Sequence, residues 1–444
     1  MKLLWLNAGL LLPLDKGGKL RTWHLMRHLA RRHSITYLSF EDPSQTPEDR
    51  AGMLEVCGRL FTIPRRDAEK GTWRFYADAA RYLVDRAPYA VAKYRSAAYR
   101  RTLSDLLSTS SFDAVVCDFL PPAINLPERL PCPSILFTHN VEAEIWRRHA
   151  ETAGNAASRV MLGHQWRRML RFEAAALRRF DLVLAVSDAD GQTFERLYPG
   201  ALKAPVHVVQ TGVDTEFFTP AGAPGAVRAA APAAPSGPAQ AAAQADASAA
   251  APAGMPSAAS PGHAHLVFTG SMDWLPNEDG MTYFCREILP RIRQAEPAAT
   301  VAIVGRSPTP AVKKLAEIPG VEVTGRVDDV RPHIARGAVY IVPLRIGGGT
   351  RLKIFEAMSM GKAVVSTTVG AEGLPVTPAR DIVLADEPAR FAHAVVHLIR
   401  DQQTRRGIEA AARRLVVEKY DWSAVAGDFE AALMRLTKGS AAAA

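Results

Sequence analysis

Short apolar runs with few polar interruptions recur along this 444-residue chain. The first half carries "KLLWLNAGL", "SITYLSF", "RLFTIP", "FDAVVCDF", "PSILFTHN", "DLVLAVS" and "PVHVVQTG". The second half carries "HLVFTGS", "ATVAIVGRS", "VEVTGRV", "AVYIVPLR", "KAVVSTTVG" and "DIVLAD". A strand with one wet face alternates apolar and polar residues. A strand that is apolar throughout is covered on both faces, which means a parallel sheet between helices. Helical patterns such as "GGKLRTWHLMRHLARR", "VMLGHQWRRMLRFEAAALRRF" and "EPARFAHAVVHLIRD" separate the runs. The fold class is therefore α/β, doubly wound, and it occurs twice.

Residues 220–262 break the pattern. They are almost all Ala, Pro, Gly and Ser, with no aromatic residue and almost no charge. Such a segment cannot bury enough apolar surface to offset its ordering entropy, and its scattered prolines oppose an Ala-rich helix. It reads as a linker. The chain then divides into a Rossmann-like domain over 1–219, a linker over 220–262 and a second Rossmann-like domain over 263–444. The last domain includes a terminal amphipathic helix, "YDWSAVAGDFEAALMRL". Two doubly wound domains are expected to face a ligand cleft at the carboxyl ends of their strands.

The formal net charge is +9 and the pI about 9.5, which favours anionic partners. Cys57, Cys117, Cys132 and Cys285 are far apart and form no CxxC pair, so they read as free thiols of a reducing compartment. Neither a disulfide framework nor a zinc site is expected. The N-terminal "MKLLWLNAGLLLPLDKGG" is interrupted by Asn7 and lacks a small-residue cleavage pattern, so it reads as a first strand and loop. No run reaches the roughly 18 apolar residues of a membrane span.

One stretch concentrates the chemistry: "PLRIGGGTRLKIFEAMSMGKAVVSTTVGAEGL", residues 343–374. A strand ends in Gly347, Gly348, Gly349 and Thr350, and a helix closed by Gly361 follows. A glycine loop feeding a helix N-terminus offers bare N–H groups and a favourable dipole to an anion. Arg351 and Lys353 oppose that dipole unless an anion is bound there. Glu356 follows on part of the same face, as an ion-pair partner or as an acceptor for ribose hydroxyls. The loop is not a Walker loop, because no GKS or GKT follows it. A phosphate site and a tight structural turn both remain open on these residues alone.

Other candidates lie at predicted strand ends. Gly17 and Gly18 follow the first strand, as close-approach positions or as a turn. His139 ends "SILFTH", as a ligand contact or a structural histidine. Asn140 and Glu142 follow it as acceptor-binding candidates, with Glu142 alternatively capping the next helix. Asp273 and Asn277 in "SMDWLPNEDG" read equally as ligand contacts or turn formers. Basic stretches such as "WRRMLRFEAAALRR" read as a solvated face or as a peripheral contact with an anionic membrane. No motif accompanies the charge that would indicate nucleic acid binding.

Taken in order, these motifs resemble the group-one (family four) retaining glycosyltransferases of the GT-B fold. "EAMSMGKAVVSTTVGAEGL" is similar to their helix–strand–loop signature, "FTHNVEAEIW" to their histidine-bearing strand end and "VVQTGVDTEFFTP" to their hinge. "VFTGSMDWLPNEDG" is similar to the start of the second domain in exopolysaccharide-associated bacterial transferases. The resemblance implies a nucleotide-diphosphate-sugar donor and a glycan or lipid-linked hydroxyl acceptor. It implies catalytic roles for His139, Arg351, Lys353 and Glu356. Donor contacts are implied at Gly17, Gly18, Gly270, Ser271, Arg326, Val327, Gly347, Gly348, Gly349 and Thr350. It implies no cofactor and no metal, the nucleotide-sugar being a co-substrate, and a cytoplasmic enzyme, with a peripheral position on the inner face of the cell membrane left open. The sequence departs from the family at two points. Gly348 stands where the first glutamate of an E-x7-E pair is usual, and "GSMDWLPN" replaces the usual Arg- and Lys-bearing loop. Other expectations kept open are a non-catalytic nucleotide-sugar-binding protein, a nucleotide-sugar epimerase and a Rossmann oxidoreductase.

Overall fold

The computed structural model describes the chain except residues 15–16, 67–71, 74–84, 221–263, 347–351 and 444. The described residues form two compact units: residues 1–210 with 425–443, and residues 211–220 with 264–424. The division falls between Gln210 and Thr211, inside "VVQTGVD".

Unit 1 is built on seven parallel strands: β1 (Lys2–Leu6), β2 (Ser34–Glu41), β3 (Arg59–Pro64), β4 (Ala114–Asp118), β5 (Ser134–Phe137), β6 (Leu182–Ala185) and β7 (His207–Val208). Their spatial order is β3-β2-β1-β4-β5-β6-β7. Every one arises from a run named above. β1 pairs in parallel with both β2 and β4, so its carboxyl end lies where the winding reverses. Successive residues of the central strands point to opposite faces, and both faces are buried. Leu4, Leu6, Val115, Cys117 and Leu136 join one core cluster. From the opposite side, Trp5 stacks on Phe429 at 5.7 Å. This is why the runs are apolar throughout.

Unit 2 repeats the plan with β8 (His265–Thr269), β9 (Thr300–Val304), β10 (Val321–Gly325), β11 (Val339–Val342), β12 (Val364–Ser366) and β13 (Val383–Leu384), in the order β10-β9-β8-β11-β12-β13. The reversal lies between β8 and β11, which pair in parallel. The helix Leu352–Ser359 after β11 ends as its sequence predicts: Gly361 has φ +65°, its N–H donates to Met358 O, and Lys362 N–H donates to Ala357 O. The helical run "DGMTYFCREILPRIRQAEP" is interrupted by a π-turn, Phe284–Ile288, just ahead of Pro290, whose ring nitrogen has no hydrogen to give.

The terminal helix, Trp422–Ala443, is divided between the units rather than belonging to the second domain as the sequence suggests. From Val425 onward it joins unit 1. Phe429 packs on Trp5 and Phe137, and the buried Glu430 pairs with His33 Nε2 at 2.8 Å and with Arg32. Amphipathic periodicity identifies a buried stripe but not the partner that buries it. Residues 220–262, expected as a linker, lie outside the described residues except Pro220. All four cysteines are free thiols, and burial pushes Cys57 and Cys285 up to about 12. No described helix is long and apolar enough to cross a membrane.

Candidate active site

In unit 1 the chemistry gathers at the carboxyl ends of β1, β4 and β5, around Asp118. Register places Asp118, the last residue of β4, opposite Phe137, and His139 two residues further on. Asp118 is fully buried. Its Oδ2 accepts hydrogen bonds from Trp5 Nε1 at 3.1 Å, Asn7 Nδ2 at 2.7 Å and Thr22 Oγ1 at 2.8 Å. Its Oδ1 lies 2.7 Å from His139 Nε2. The other ring nitrogen, Nδ1, lies 2.9 Å from Arg21 Nη1. A guanidinium only donates, so Nδ1 accepts and the proton of the neutral ring sits on Nε2, where it donates to Asp118. Burial, then Arg21, draws His139 below the ordinary histidine range against the upward pull of Asp118. Burial also lowers Arg21, to about 10, against Asp118 and Asp190.

Phe119 covers the imidazole. Its ring stacks on His139 at 3.8 Å with 6° between the planes, and its backbone takes φ 66°, a conformation uncommon outside glycine. This arrangement explains Gly18, on the first turn of helix Gly17–Leu29. A Cβ there would lie 2.6 Å from Phe119 Cζ, whereas one on Gly17 would meet nothing within 4 Å. Asn7 Oδ1 accepts from the N–H groups of Ala8 and Gly9, tying the loop after β1 to the same network.

Asn140 is exposed beside this cluster. Glu142 begins helix Glu142–Glu151 but does not cap it. Glu173, from helix Ala156–Leu177, accepts from Glu142 N–H at 3.0 Å and Ala143 N–H at 3.1 Å, and also binds the Tyr198 hydroxyl. Burial raises both Glu142 and Glu173 to about 7.

In unit 2 the candidates meet at the ends of β8 and β11. Lys353 Nζ donates to Asn277 Oδ1 at 2.9 Å and sits 4.0 Å from the centroid of the Phe268 ring. Asn277 is buried, and its Nδ2 donates to Ser271 O at 2.8 Å. A Cβ on Gly270 would lie 2.7 Å from both Lys353 Nζ and Asn277 Nδ2, so a side chain there would displace this pair. Glu356 is three residues beyond Lys353 on the same helix. Burial lifts its carboxyl to about 7, and Lys353 pulls the other way. Ser271 Oγ donates to Asp273 Oδ1 at 2.6 Å and accepts from Arg306 Nε at 3.1 Å, a local turn role for Asp273. Arg326 is exposed just past edge strand β10, and Val327 packs on the core. Gly347, Gly348, Gly349, Thr350 and Arg351 lie outside the described residues.

The structure thus joins Gly18 with His139, and Gly270 and Ser271 with Lys353. It adds residues the sequence reading passed over: Asp118, Arg21, Phe119 and Glu173. Asp118 had a visible signal, an acidic residue closing the otherwise apolar "AVVCD". Among the described residues no group of three or more His, Cys, Asp or Glu side chains is arranged to hold a metal.

Two doubly wound units, each with polar side chains collected where its strand order reverses, offer ligand sites at those strand ends. Comparison with known proteins identifies the class. The model described as "Glycosyltransferase Family 4" matches residues 16–217, and "Glycosyl transferases group 1" matches residues 263–401, together more than half of the chain. Solved structures match along nearly the whole length. Anabaena Alr3699/HepE in complex with UDP and glucose is 14% identical with a TM-score of 0.59, over 98% of this chain and 99% of that one. Sucrose-phosphate synthase from Thermosynechococcus elongatus is 15% identical with a TM-score of 0.60, over 99% and 100%. An uncharacterized 44.6 kDa protein in the cps region of Klebsiella pneumoniae is 22% identical over 36% of this chain, and the match spans only 43% of that relative. The chain is a glycosyltransferase of the GT-B type. Its first unit is of the family 4 kind and its second of the group 1 kind.

Proposed function

We propose that this glycosyltransferase takes a nucleotide-diphosphate sugar as donor in unit 2. It passes the sugar, with retained anomeric configuration, to a hydroxyl of a glycan or lipid-linked acceptor served by unit 1. The observation that carries this reading is the placement of Lys353. It is a cation aimed at the loop after β8 by a buried asparagine, on a helix whose N-terminus follows a glycine-rich segment. Charge developing on a leaving diphosphate is what such a group stabilises, with Arg351 and the loop amides as partners. Glu356 accepts from the ribose hydroxyls. Asn140 and Glu142, beside the Asp118 cluster, bind the acceptor. The UDP complexes of a structural neighbour support a nucleoside-diphosphate donor. The cps-region relative supports a role in surface polysaccharide synthesis.

The test is a panel of UDP-, GDP-, ADP- and dTDP-sugars read by thermal shift, then by transfer. A donor at one hundred times its dissociation constant adds about 2.7 kcal/mol of stability. Stabilisation by one nucleotide series, followed by sugar transfer with retained configuration, is the expected result. No stabilisation by any member would overturn the reading. One observation favours a second reading: Gly348 occupies the place of a glutamate usual in the family, which suits a protein that binds the donor without transferring it. Stabilisation with neither transfer nor donor hydrolysis would select that alternative.

A further inference from the structure

The family-level resemblance makes His139 a candidate but does not say in what chemical form it acts. The surroundings of the ring do. Both nitrogens are committed to protein partners, Nε2 to Asp118 Oδ1 at 2.7 Å and Nδ1 to Arg21 Nη1 at 2.9 Å. One face is covered by Phe119, and Phe137 tilts against the ring at 4.6 Å. The ring is buried, with 3% of its side chain exposed. The charged groups around it are Asp118 from β4 and Arg21 from helix Gly17–Leu29. Asp190, from helix Asp188–Leu197, acts on Arg21. A side chain with no nitrogen to spare cannot shuttle a proton to substrate while these bonds last.

We propose that Asp118 is a positioning residue: it accepts the hydrogen bond from the Nε2–H of His139, leaves Nδ1 to accept from Arg21, and so fixes a neutral imidazole of one tautomer and one orientation. The consequence for catalysis rests on the donor and acceptor roles proposed above. A neutral ring adds no positive charge beside a sugar carbon that becomes cation-like as its bond to phosphate breaks. Asp118 is suited to the task because its second oxygen is pinned by Trp5, Asn7 and Thr22, so it cannot rotate away. Arg21 completes the arrangement by blocking the second protonation site.

The experiment is nitrogen NMR of histidine-labelled full-length protein between pH 5.5 and 8, with His139 assigned by the signal lost in His139→Gln. The wild type is expected to show a single Nε2–H tautomer that is neutral at pH 7. Asp118→Asn cannot satisfy both sets of donors with one oxygen, so the single tautomer should be lost. Its kcat should fall about 10- to 100-fold with little change in KM, the range seen when the outer partner of a ligating histidine is removed. Arg21→Met frees Nδ1, and the ring should then take a second proton at a higher pH than in the wild type. A wild-type Nδ1–H tautomer, an imidazolium at pH 7, or an unchanged tautomer in Asp118→Asn would overturn the proposal. Should Asp118→Asn not fold, the wild-type and Arg21→Met spectra decide. The spectra need no turnover, so absence of transferase activity would overturn the proposed function and leave the tautomer result standing.

Discussion

The two units share one strand order, yet their functional ends are built differently. Unit 1 closes its site from within: a buried carboxylate receives bonds from four side chains, and a histidine has both nitrogens engaged. Unit 2 builds around a helix bearing one cation and one carboxylate, Lys353 and Glu356, where burial holds the carboxylate near neutrality. The first is a pre-satisfied scaffold whose chemistry is fixed before substrate arrives. The second holds a cation, Lys353, between Asn277 and the Phe268 ring at the strand ends where the donor is proposed to bind. Substitutions in the first should be felt mainly as lost order, and those in the second as lost binding.

The sharpest break between them is Lys353→Ala. It removes a cation from a half-buried position without opening the core. Loss of one such stabilising group costs roughly 100- to 1,000-fold in kcat when it acts on developing charge. The expected result is that loss in transfer, with the melting temperature of the ligand-free protein nearly unchanged and stabilisation by donor reduced. A steady-state assay beside a melting curve checks it. Full activity in Lys353→Ala would show that the phosphates are held elsewhere.

How much of this was legible beforehand differs between fold and site. The central strands were readable because a strand buried on both faces must be nearly all apolar, as "VYIV" is. The terminal helix was readable as a helix but not as a partner of unit 1. Nothing in its own periodicity says that Glu430 meets His33 or that Phe429 meets Trp5. Lys353 stood out as a cation opposing a helix dipole and Gly18 as a glycine after the first strand, whereas Gly270 entered only through the family resemblance. Arg21 and Thr22 did not stand out, and Asp118 showed only as an acidic end to an apolar run, since their roles exist only once residues 96 to 118 positions apart in the chain lie side by side. Networks closed across a sheet leave little local trace.

A smaller effect compares two adjacent glycines. Gly18→Ala puts a methyl 2.6 Å from the Phe119 ring, which is itself stacked on His139 and held at φ 66°. Overpacking of this kind costs about 1–3 kcal/mol. Gly17→Ala meets nothing and removes a glycine from a helix, so it should be neutral or add about 0.4–1 kcal/mol. Chemical denaturation of both variants reads the difference directly. Equal stabilities would mean that Phe119 yields freely and that His139 is less firmly covered than its stacking implies.

The smallest effect is a slope against pH. Glu356 has its pKa raised to about 7 in the folded protein by burial, from 4.5. Between those values the folded state keeps a proton that the unfolded state has released. By linkage, the contribution of this group to stability is therefore fully present below about 4.5, falls as pH rises, and is exhausted above about 7. Glu356→Gln removes the titration while keeping the shape. Relative to wild type, the variant should gain stability from pH 5 to about pH 7 and then level off. Glu142 and Glu173 in unit 1, both also raised to about 7, are common to the two proteins and cancel in the difference. Donor binding should move the other way at pH 8, because the amide lacks the two-oxygen acceptor proposed for ribose. Urea unfolding at four pH values measures the first, and donor titration at pH 8 the second. A flat stability difference would mean that Glu356 is already ionised in the folded protein. The contrast with the pre-satisfied carboxylate of Asp118 would then shrink to one of hydrogen bonding alone.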